Sequence, residues 1–424
     1  MSNILIKNVN ILDLPASETT NIGIENDKIK FISKDLPSGF AVDTVIDGKN
    51  KLATAGFVNT HTHAAMTLLR SYADDMELMD WLQNKIWPIE SKLGANDMYW
   101  GSILAIAEMI RSGTTTFADM YFFMEETARA VDETGIRAAL SRGLSGDDNA
   151  DGKNIAENIE LYKNWHGKAD GRITVMFGPH APYTCSQSFL KKVVAEAEKL
   201  DAAIHIHLSE TRGEVENCLK AKGKTPIAYM NEIGVFERPT IAAHCVFATP
   251  EEFAIMKEKN VSVAHNPQSN LKLASGIAPV PEMISAGICV GLGTDGASSN
   301  NNLDMFEEMR LISMLHKAVK NDPLLITAKE AYAMATINGA KALKLEKVGN
   351  LEEGYKADIV LCDIDKPHWH PKFNLCNNFV YSGGYGDVDT VIVNGKVLMD
   401  AGKLTTIDEE RMKHEVKKCV ERFI

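Results

Sequence analysis

The chain reads as an α/β protein: a (β/α)8 TIM-like barrel with a small β-sandwich formed by both chain ends. Three observations predict this. Through the middle of the chain, short apolar strands alternate with amphipathic helices, the mark of a parallel sheet. The two ends instead carry strand-like segments joined by turns. Each central strand also finishes on a polar or ionisable group, as expected of a barrel whose active site is built at the C-terminal strand ends. The domain limits that follow are 1–54 for the first part of the sandwich, 55–345 for the barrel, and 346–424 for the second part and a C-terminal helix.

The N-terminal strands are Ile4-Leu5-Ile6, Ile22-Gly23-Ile24 and Lys28 to Ile32, the last after the turn Asn26-Asp27. Their counterparts near the other end are Ala357 to Leu361 and Val391 to Leu398, where Asn394-Gly395 is a strong hairpin signal. The eight central strands run Phe57–His61, Thr114–Asp119, Ala138–Arg142, Ile173–Phe177, Ala203–His207, Thr240–His244, Val261–His265 and Ile288–Gly293. Between them, Ser188 to Leu200 places Leu190, Val193, Val194 and Ala197 on one helical face. Thr249-Pro250-Glu251-Glu252 combines a capping residue, proline at the first helical position and an acid three residues after the cap. The strand ends carry His61 with His63, Asp119, Arg142, His180, His207 with Glu210, His244, His265 and Asp295.

Composition narrows the function. There are 45 Lys plus Arg against 57 Asp plus Glu, a formal net charge of -12, which argues against nucleic acid or an acidic membrane as the main partner. Met1 to Lys7 has no basic stretch followed by a long apolar run, and no segment approaches membrane-spanning length, so a cytoplasmic location is expected. The seven cysteines include no CxxC pair, so neither a disulfide framework nor a thiolate zinc site is indicated. Cys245 follows His244 directly, but neighbours on a strand face opposite sides, and packing is its expected role.

The chemistry centres on Gly56-Phe57-Val58-Asn59-Thr60-His61-Thr62-His63. Residues i and i+2 of a strand project the same way, roughly 6.5 to 7 Å apart, so two imidazoles can share one metal. A catalytic zinc wants about three protein ligands and an open position for water. We assign His61, His63 and His207 as ligands, with Asp295 of Gly291-Leu292-Gly293-Thr294-Asp295-Gly296 as the fourth. His205 competes, since it shares a strand face with His207, but His207 lies nearer the barrel mouth. Asp295 alone would read as a helix N-cap. A metal so held lowers the pKa of water from 15.7 towards about 7. Glu210, three residues past His207, is the expected proton carrier, and His244 the group that orients the nucleophile or polarises the electrophile. A second HxH, in Pro367-His368-Trp369-His370-Pro371, is flanked by prolines that disfavour a central strand and is not expected to bind metal. His166, His316 and His414 are expected to be structural or exposed.

Together these stretches resemble the amidohydrolase superfamily, in particular its mononuclear aminohydrolases, over essentially the whole length. The resemblance rests on Gly56 to His63, His207-Leu208-Ser209-Glu210, His244, Ala264-His265-Asn266-Pro267 and Gly293 to Gly296. Within the superfamily the chain is most similar to the 5-methylthioadenosine/S-adenosylhomocysteine deaminases, through Asp80-Trp81-Leu82-Gln83-Asn84-Lys85-Ile86-Trp87-Pro88-Ile89-Glu90 and His63 to Arg70. The resemblance implies that Trp81 lies beside the 5′-thio substituent, Glu90 bonds the ribose hydroxyls, and His180 and Arg142 contact the nucleoside and its tail.

It further implies hydrolytic deamination at adenine C6, with Glu210 delivering a proton to N1, Asp295 taking a proton from the attacking water and His244 orienting it. The implied cofactor is one divalent metal per subunit, Zn2+ first, with Fe2+, Ni2+ and Mn2+ as alternatives. The implied partner is a small-molecule nucleoside; a homo-oligomer stays open. Family members that bind an amino-acid tail often carry a second arginine after strand three. Here that loop, Ser145 to Lys153, is acidic and ends on Lys153, which lacks bidentate geometry. Methylthioadenosine or another carboxylate-free adenosine is therefore at least as well supported as S-adenosylhomocysteine. The alternatives are deamination of guanine or a pterin, a triazine hydrolase on the same scaffold, and a non-catalytic scaffold.

Overall fold

The computed structural model describes residues 3–423. At the N-terminus come β1 (Ile4–Ile11), β2 (Thr20–Glu25), β3 (Lys28–Ser33), β4 (Thr44–Asp47) and β5 (Lys51–Ala55), of which β3 alternates exposed Lys28 and Lys30 with buried Ile29 and Phe31, the period-2 pattern of a strand with one wet face. Gly56 then leads into eight parallel strands: β6 (Phe57–Thr62), β7 (Thr114–Tyr121), β8 (Arg137–Leu144), β9 (Ile173–Pro179), β10 (Ile204–Leu208), β11 (Thr240–His244), β12 (Ser262–His265) and β13 (Val290–Leu292). Each pairs with its sequence neighbour, as expected where helical crossovers connect parallel strands. The barrel is drawn together between its first and last strands by Thr60 Oγ1 donating to the Leu292 carbonyl at 2.8 Å and by the Asp295 N–H donating to the His61 carbonyl at 3.0 Å.

Both faces of these strands are covered, which is why β6, β7 and β10 are buried at every position. Inside the barrel, Val58, Ala118, Ala139, Met176, Ile241 and Ala264 fill the space. Outside, helices such as Gln187–Lys199 bury Phe189, Leu190, Val193 and Ala197. That helix starts one residue before the expected Ser188, because Ser186 is the cap, its hydroxyl accepting from the Phe189 N–H at 3.2 Å. The helix after Thr249 begins as expected at Pro250, with the Thr249 N–H donating to Glu252 Oε2 at 2.8 Å.

After the barrel come β14 (Ile359–Asp363), β15 (Val388–Val393), β16 (Lys396–Asp400) and β17 (Lys403–Leu404). These join the N-terminal strands in a nine-stranded mixed sheet, in the order β17-β16-β15-β14-β5-β1-β2-β3 with β4 on β1. The seam is β5 against β14, antiparallel, with Ala53 opposite Leu361. Ile4, Ile6, Ile22, Ile24, Ile359 and Ile392 form its separate core. Among the described residues, no helix is long and apolar enough to cross a membrane.

Candidate active site and metal centre

The C-terminal ends of the barrel strands converge on one cavity. At its floor His61 is fully buried, with Nδ1 2.8 Å from His205 Nε2. Its Nε2 has no hydrogen-bond partner and points towards Asp295 Oδ1 at 3.5 Å. His63 and His207 present Nε2 in the same way, 3.3 Å from one another, and His63 Nε2 is 3.3 Å from Asp295 Oδ1. The far nitrogens of both rings are engaged: His63 Nδ1 lies 2.6 Å from the Met120 carbonyl and His207 Nδ1 2.7 Å from the His180 carbonyl. A ring whose Nδ1–H donates to a carbonyl must carry its lone pair on Nε2.

Two overlapping sets result, His61, His63 and Asp295 on one side and His61, His207 and His244 on the other. A buried imidazole nitrogen without a partner costs free energy unless something takes its lone pair. A divalent cation does so, and the donors of this site fit one. Burial holds His61 down to about 4 and His207 well below the usual histidine range, so both stay neutral, as metal ligation requires. At Asp295 burial pushes the carboxyl up, but His61, His63 and His244 around it outweigh that and hold the group ionised. His205, the competitor on the same face, lies behind His61 and bonds its Nδ1 rather than joining either donor set.

The backbone is bent at these strand ends. Ser209, His244, Cys245 and Asp295 take φ of 51°, 72°, 48° and 62°, conformations that non-glycine residues adopt only when their surroundings over-determine them. Glycine is used where the chain comes too close for a side chain: at Gly293 a Cβ would stand 2.4 Å from Asn266 Oδ1 and 2.9 Å from the His61 nitrogen. Asp295 is held by Ser269 Oγ donating to Oδ2 at 2.7 Å, and His244 Nδ1 meets Asn270 Oδ1 at 2.8 Å.

Glu210 is buried on the cavity wall, with Ser275 Oγ donating to Oε1 at 3.3 Å and His244 Nε2 3.9 Å from Oε2. Burial pushes its carboxyl up, opposed by His244. At His244 burial acts downward, but Glu210 and Asp295 beside it leave the ring above the usual histidine range. The next helix, Arg212–Lys222, contributes Glu214, whose two oxygens accept the Ser209 N–H at 3.0 Å and the Glu210 N–H at 2.8 Å. Burial raises Glu214 to about 7.

Trp81, Glu90 and His180 also line the cavity. Trp81 is buried, its indole N–H donating to the Ala73 carbonyl at 3.0 Å. Glu90 accepts the Tyr121 hydroxyl at 2.5 Å, and burial raises its carboxyl despite that bond. His180 Nδ1 lies 3.0 Å from Thr184 Oγ1. Arg142 is not brought to this cavity. Its Nε donates to Glu157 Oε2 at 2.8 Å, its guanidinium lies 5.0 Å over the Phe122 ring, and it lines a separate hollow behind Phe122.

Other expectations concern residues outside the site. Cys245 is buried and burial pushes its thiol well up, which suits packing. In the second HxH, His368 Nε2 meets Asp387 Oδ2 at 2.9 Å on a single 3-10 turn, outside the metal-donor sets found among the described residues.

Sequence reasoning missed Glu214, Tyr121 and the polar supports Ser269, Asn270 and Ser275. For Glu214 a signal existed: Thr211-Arg212-Gly213-Glu214 has the form of a capping box, and Thr211 Oγ1 does accept the Glu214 N–H at 3.1 Å. The acid, however, reaches back to 209 and 210 rather than to its own cap. Nothing in the sequence marked the serines and asparagines.

The fold and this site define an amidohydrolase, and the chain belongs to that family, whose model matches residues 52–398. It is 55% identical over 416 residues to a 5-methylthioadenosine/S-adenosylhomocysteine deaminase of Dictyoglomus thermophilum, covering 98% of this chain and 97% of the relative. It is 52% identical to one of Thermoanaerobacter pseudethanolicus, covering 100% of this chain and 99% of that one. Within the amidohydrolases it therefore falls among the 5-methylthioadenosine/S-adenosylhomocysteine deaminases. Among solved structures it resembles a zinc-bound adenosine deaminase from Xanthomonas campestris, with TM-score 0.92, 33% identity and coverage of 99% and 98% of the two chains.

Proposed function

We propose that the chain hydrolyses the 6-amino group of 5′-substituted adenosines, releasing ammonia and the inosine derivative. The observation that carries this reading is the meeting, in one cavity, of a buried metal-donor set, a buried carboxyl at Glu210, and a second carboxyl at Glu90 beside the Trp81 wall. Residues 55–345 form the catalytic unit, and the protein works in the cytoplasm.

His61, His63, His207 and Asp295 hold the ion, with Zn2+ our assignment among ions that accept such donors. When bound, it lowers the pKa of water towards about 7 and so supplies a nucleophile at neutral pH. The chain's residues manage the protons. Glu210, whose carboxyl burial pushes above its ordinary value, delivers a proton to N1 as oxygen adds to C6. Asp295, ionised and anchored by Ser269, takes the proton lost by the attacking water and passes it to the departing amine, so ammonia leaves neutral, while the proton left on the new C6 oxygen restores the acid form of Glu210. His244, fixed through Asn270, orients the water against C6. Glu90, positioned by Tyr121, accepts from the ribose hydroxyls, and Trp81 covers the 5′-substituent.

The test is ultraviolet-monitored turnover of methylthioadenosine, S-adenosylhomocysteine, 5′-deoxyadenosine and adenosine by zinc-loaded protein, with guanine as control. Consumption of the adenosines and not of guanine is the expected result. Consumption of guanine alone would overturn the substrate reading.

A further inference from the structure

Three segments that build the cavity meet at Lys272. The first follows β12: the short helix Pro267–Lys272 and the turn after it hold all three proton-handling groups, Ser269 on Asp295 at 2.7 Å, Asn270 on His244 at 2.8 Å and Ser275 on Glu210 at 3.3 Å. The second runs from Arg70 into the wall that carries Leu78, Trp81 and Glu90, and the third is the loop after β13 from Asp295 to Asn301. At the last position of the helix, Lys272 Nζ donates to Asp74 Oδ1 of the second segment at 2.5 Å and to Asn301 Oδ1 of the third. Asn301 is bound to the second segment as well: its carbonyl accepts from Arg70, and its Nδ2 donates to Ser71 Oγ at 3.2 Å. Beside Asp74, the Ala73 carbonyl accepts the Trp81 indole N–H at 3.0 Å, and beside Lys272, Leu273 lines the cavity. Ser71 and Asp75 both take φ of 59°, so the stretch that carries Asp74 is bent at each end, a course held only where its surroundings fix it.

We infer that Lys272 is a positioning residue for the reaction: by bonding Asp74 and Asn301 it fixes the segment from Pro267 to Ser275, and through Ser269, Asn270 and Ser275 the places of Asp295, His244 and Glu210. The inference rests on the deaminase reading above and adds a residue that lies outside both the cavity lining and the metal-donor sets. What the ion pair contributes to folding differs from what it contributes to chemistry. Lys272 and Asp74 keep 24% and 32% of their side-chain surface exposed, and a pair so placed adds little to stability. Its two bonds instead fix where the helix ends. The Ser275 N–H donates back to the Asn270 carbonyl at 2.9 Å, so helix and turn move as one piece, and a shift of the helix end moves all three supports together. Proton transfer responds steeply to such a shift, since a displacement of about 1 Å costs on the order of a hundredfold in rate. Contacts with the bound nucleoside come from other side chains, so the loss falls on the transition state.

The experiment measures kcat and KM of the zinc-loaded enzyme for methylthioadenosine, with kcat expressed per bound zinc ion from elemental analysis, alongside the midpoint of urea unfolding. Lys272→Met should lower kcat at least about tenfold, leave KM within about twofold and leave the urea midpoint in place. Asp74→Ala should lower kcat in the same way, and combining the two should cost no more than Lys272→Met alone, because both break one bond. The exchange Lys272→Asp with Asp74→Lys restores a pair of equal reach and should recover most of the loss. Lys272→Asp alone, which sets two carboxylates together, should be the slowest variant. Unchanged kcat in Lys272→Met, a loss confined to KM, a urea midpoint that falls in step with kcat, or an exchange no faster than Lys272→Asp alone would each overturn the inference. A wild type that turns over none of the adenosines would instead remove the deaminase reading, and this inference with it.

Discussion

Glu214 offers the sharpest separation between what stabilises this protein and what makes it work. Its carboxylate is buried and accepts two backbone N–H groups, those of Ser209 and Glu210, where the chain leaves β10 with Ser209 in a left-handed conformation. Burial nevertheless wins over these bonds and raises the group from the ordinary 4.5 to about 7. A carboxyl raised in the folded state binds its proton more tightly there than in the unfolded chain. Stability is therefore greatest below the unfolded pKa and is lost as pH climbs through about 7, by about 3 kcal/mol at 1.36 kcal/mol per pKa unit. Glu214→Gln cannot ionise and so should not follow this slope. Relative to the wild type it should therefore gain about 3 kcal/mol between pH 5 and pH 8, on top of any pH-independent cost of the amide.

Activity should move the other way. An amide presents one oxygen, so the N–H of Ser209 or Glu210 faces an NH2 group and the Glu210 segment shifts. Misplacement of a proton donor by about 1 Å costs on the order of a hundredfold. Urea titrations of chelator-treated protein at pH 5 and 8, alongside kcat of the metal-loaded variant at pH 8, test both arms. If the variant loses stability between pH 5 and 8 as steeply as the wild type, Glu214 is not the titrating group. Unchanged kcat would show that its clamp does not position Glu210.

Three further perturbations probe neighbouring parts of the site. Glu210→Gln should keep its metal, measured by elemental analysis, while kcat falls at least about a hundredfold, since the proton for N1 is lost. His205→Leu removes the partner of His61 Nδ1 without touching a donor to the ion, and metal affinity measured by chelator competition should drop about 10- to 100-fold. Tyr121→Phe frees Glu90 from its hydroxyl partner, so KM for ribose-bearing substrates should rise several-fold, the loss of about 1 kcal/mol; an unchanged KM would mean Glu90 is positioned by other contacts.

The chain's local patterns were sufficient for the barrel and for the chemistry at its centre. The alternation of β6 and β10 puts residues two apart on one face, so His61 with His63 and His205 with His207 are legible as pairs without coordinates. Capping chemistry is equally local, which is why the helix at Thr249 begins where its sequence says. Side-chain partnership across elements is not local. That His205 backs His61 depends on how β6 and β10 face one another across the barrel, and Asp295 meets Ser269 only because the segments after β12 and β13 turn over the same mouth. Arg142 and Glu157, a β8 residue and one on the following helix, are 15 positions apart in the chain. Nothing in residue type says whether that guanidinium faces the cavity or its own helix; only the packing of Phe122 between the two hollows decides it. Periodicity tells which face a residue takes, whereas the identity of what it meets there is set by the closure of the barrel.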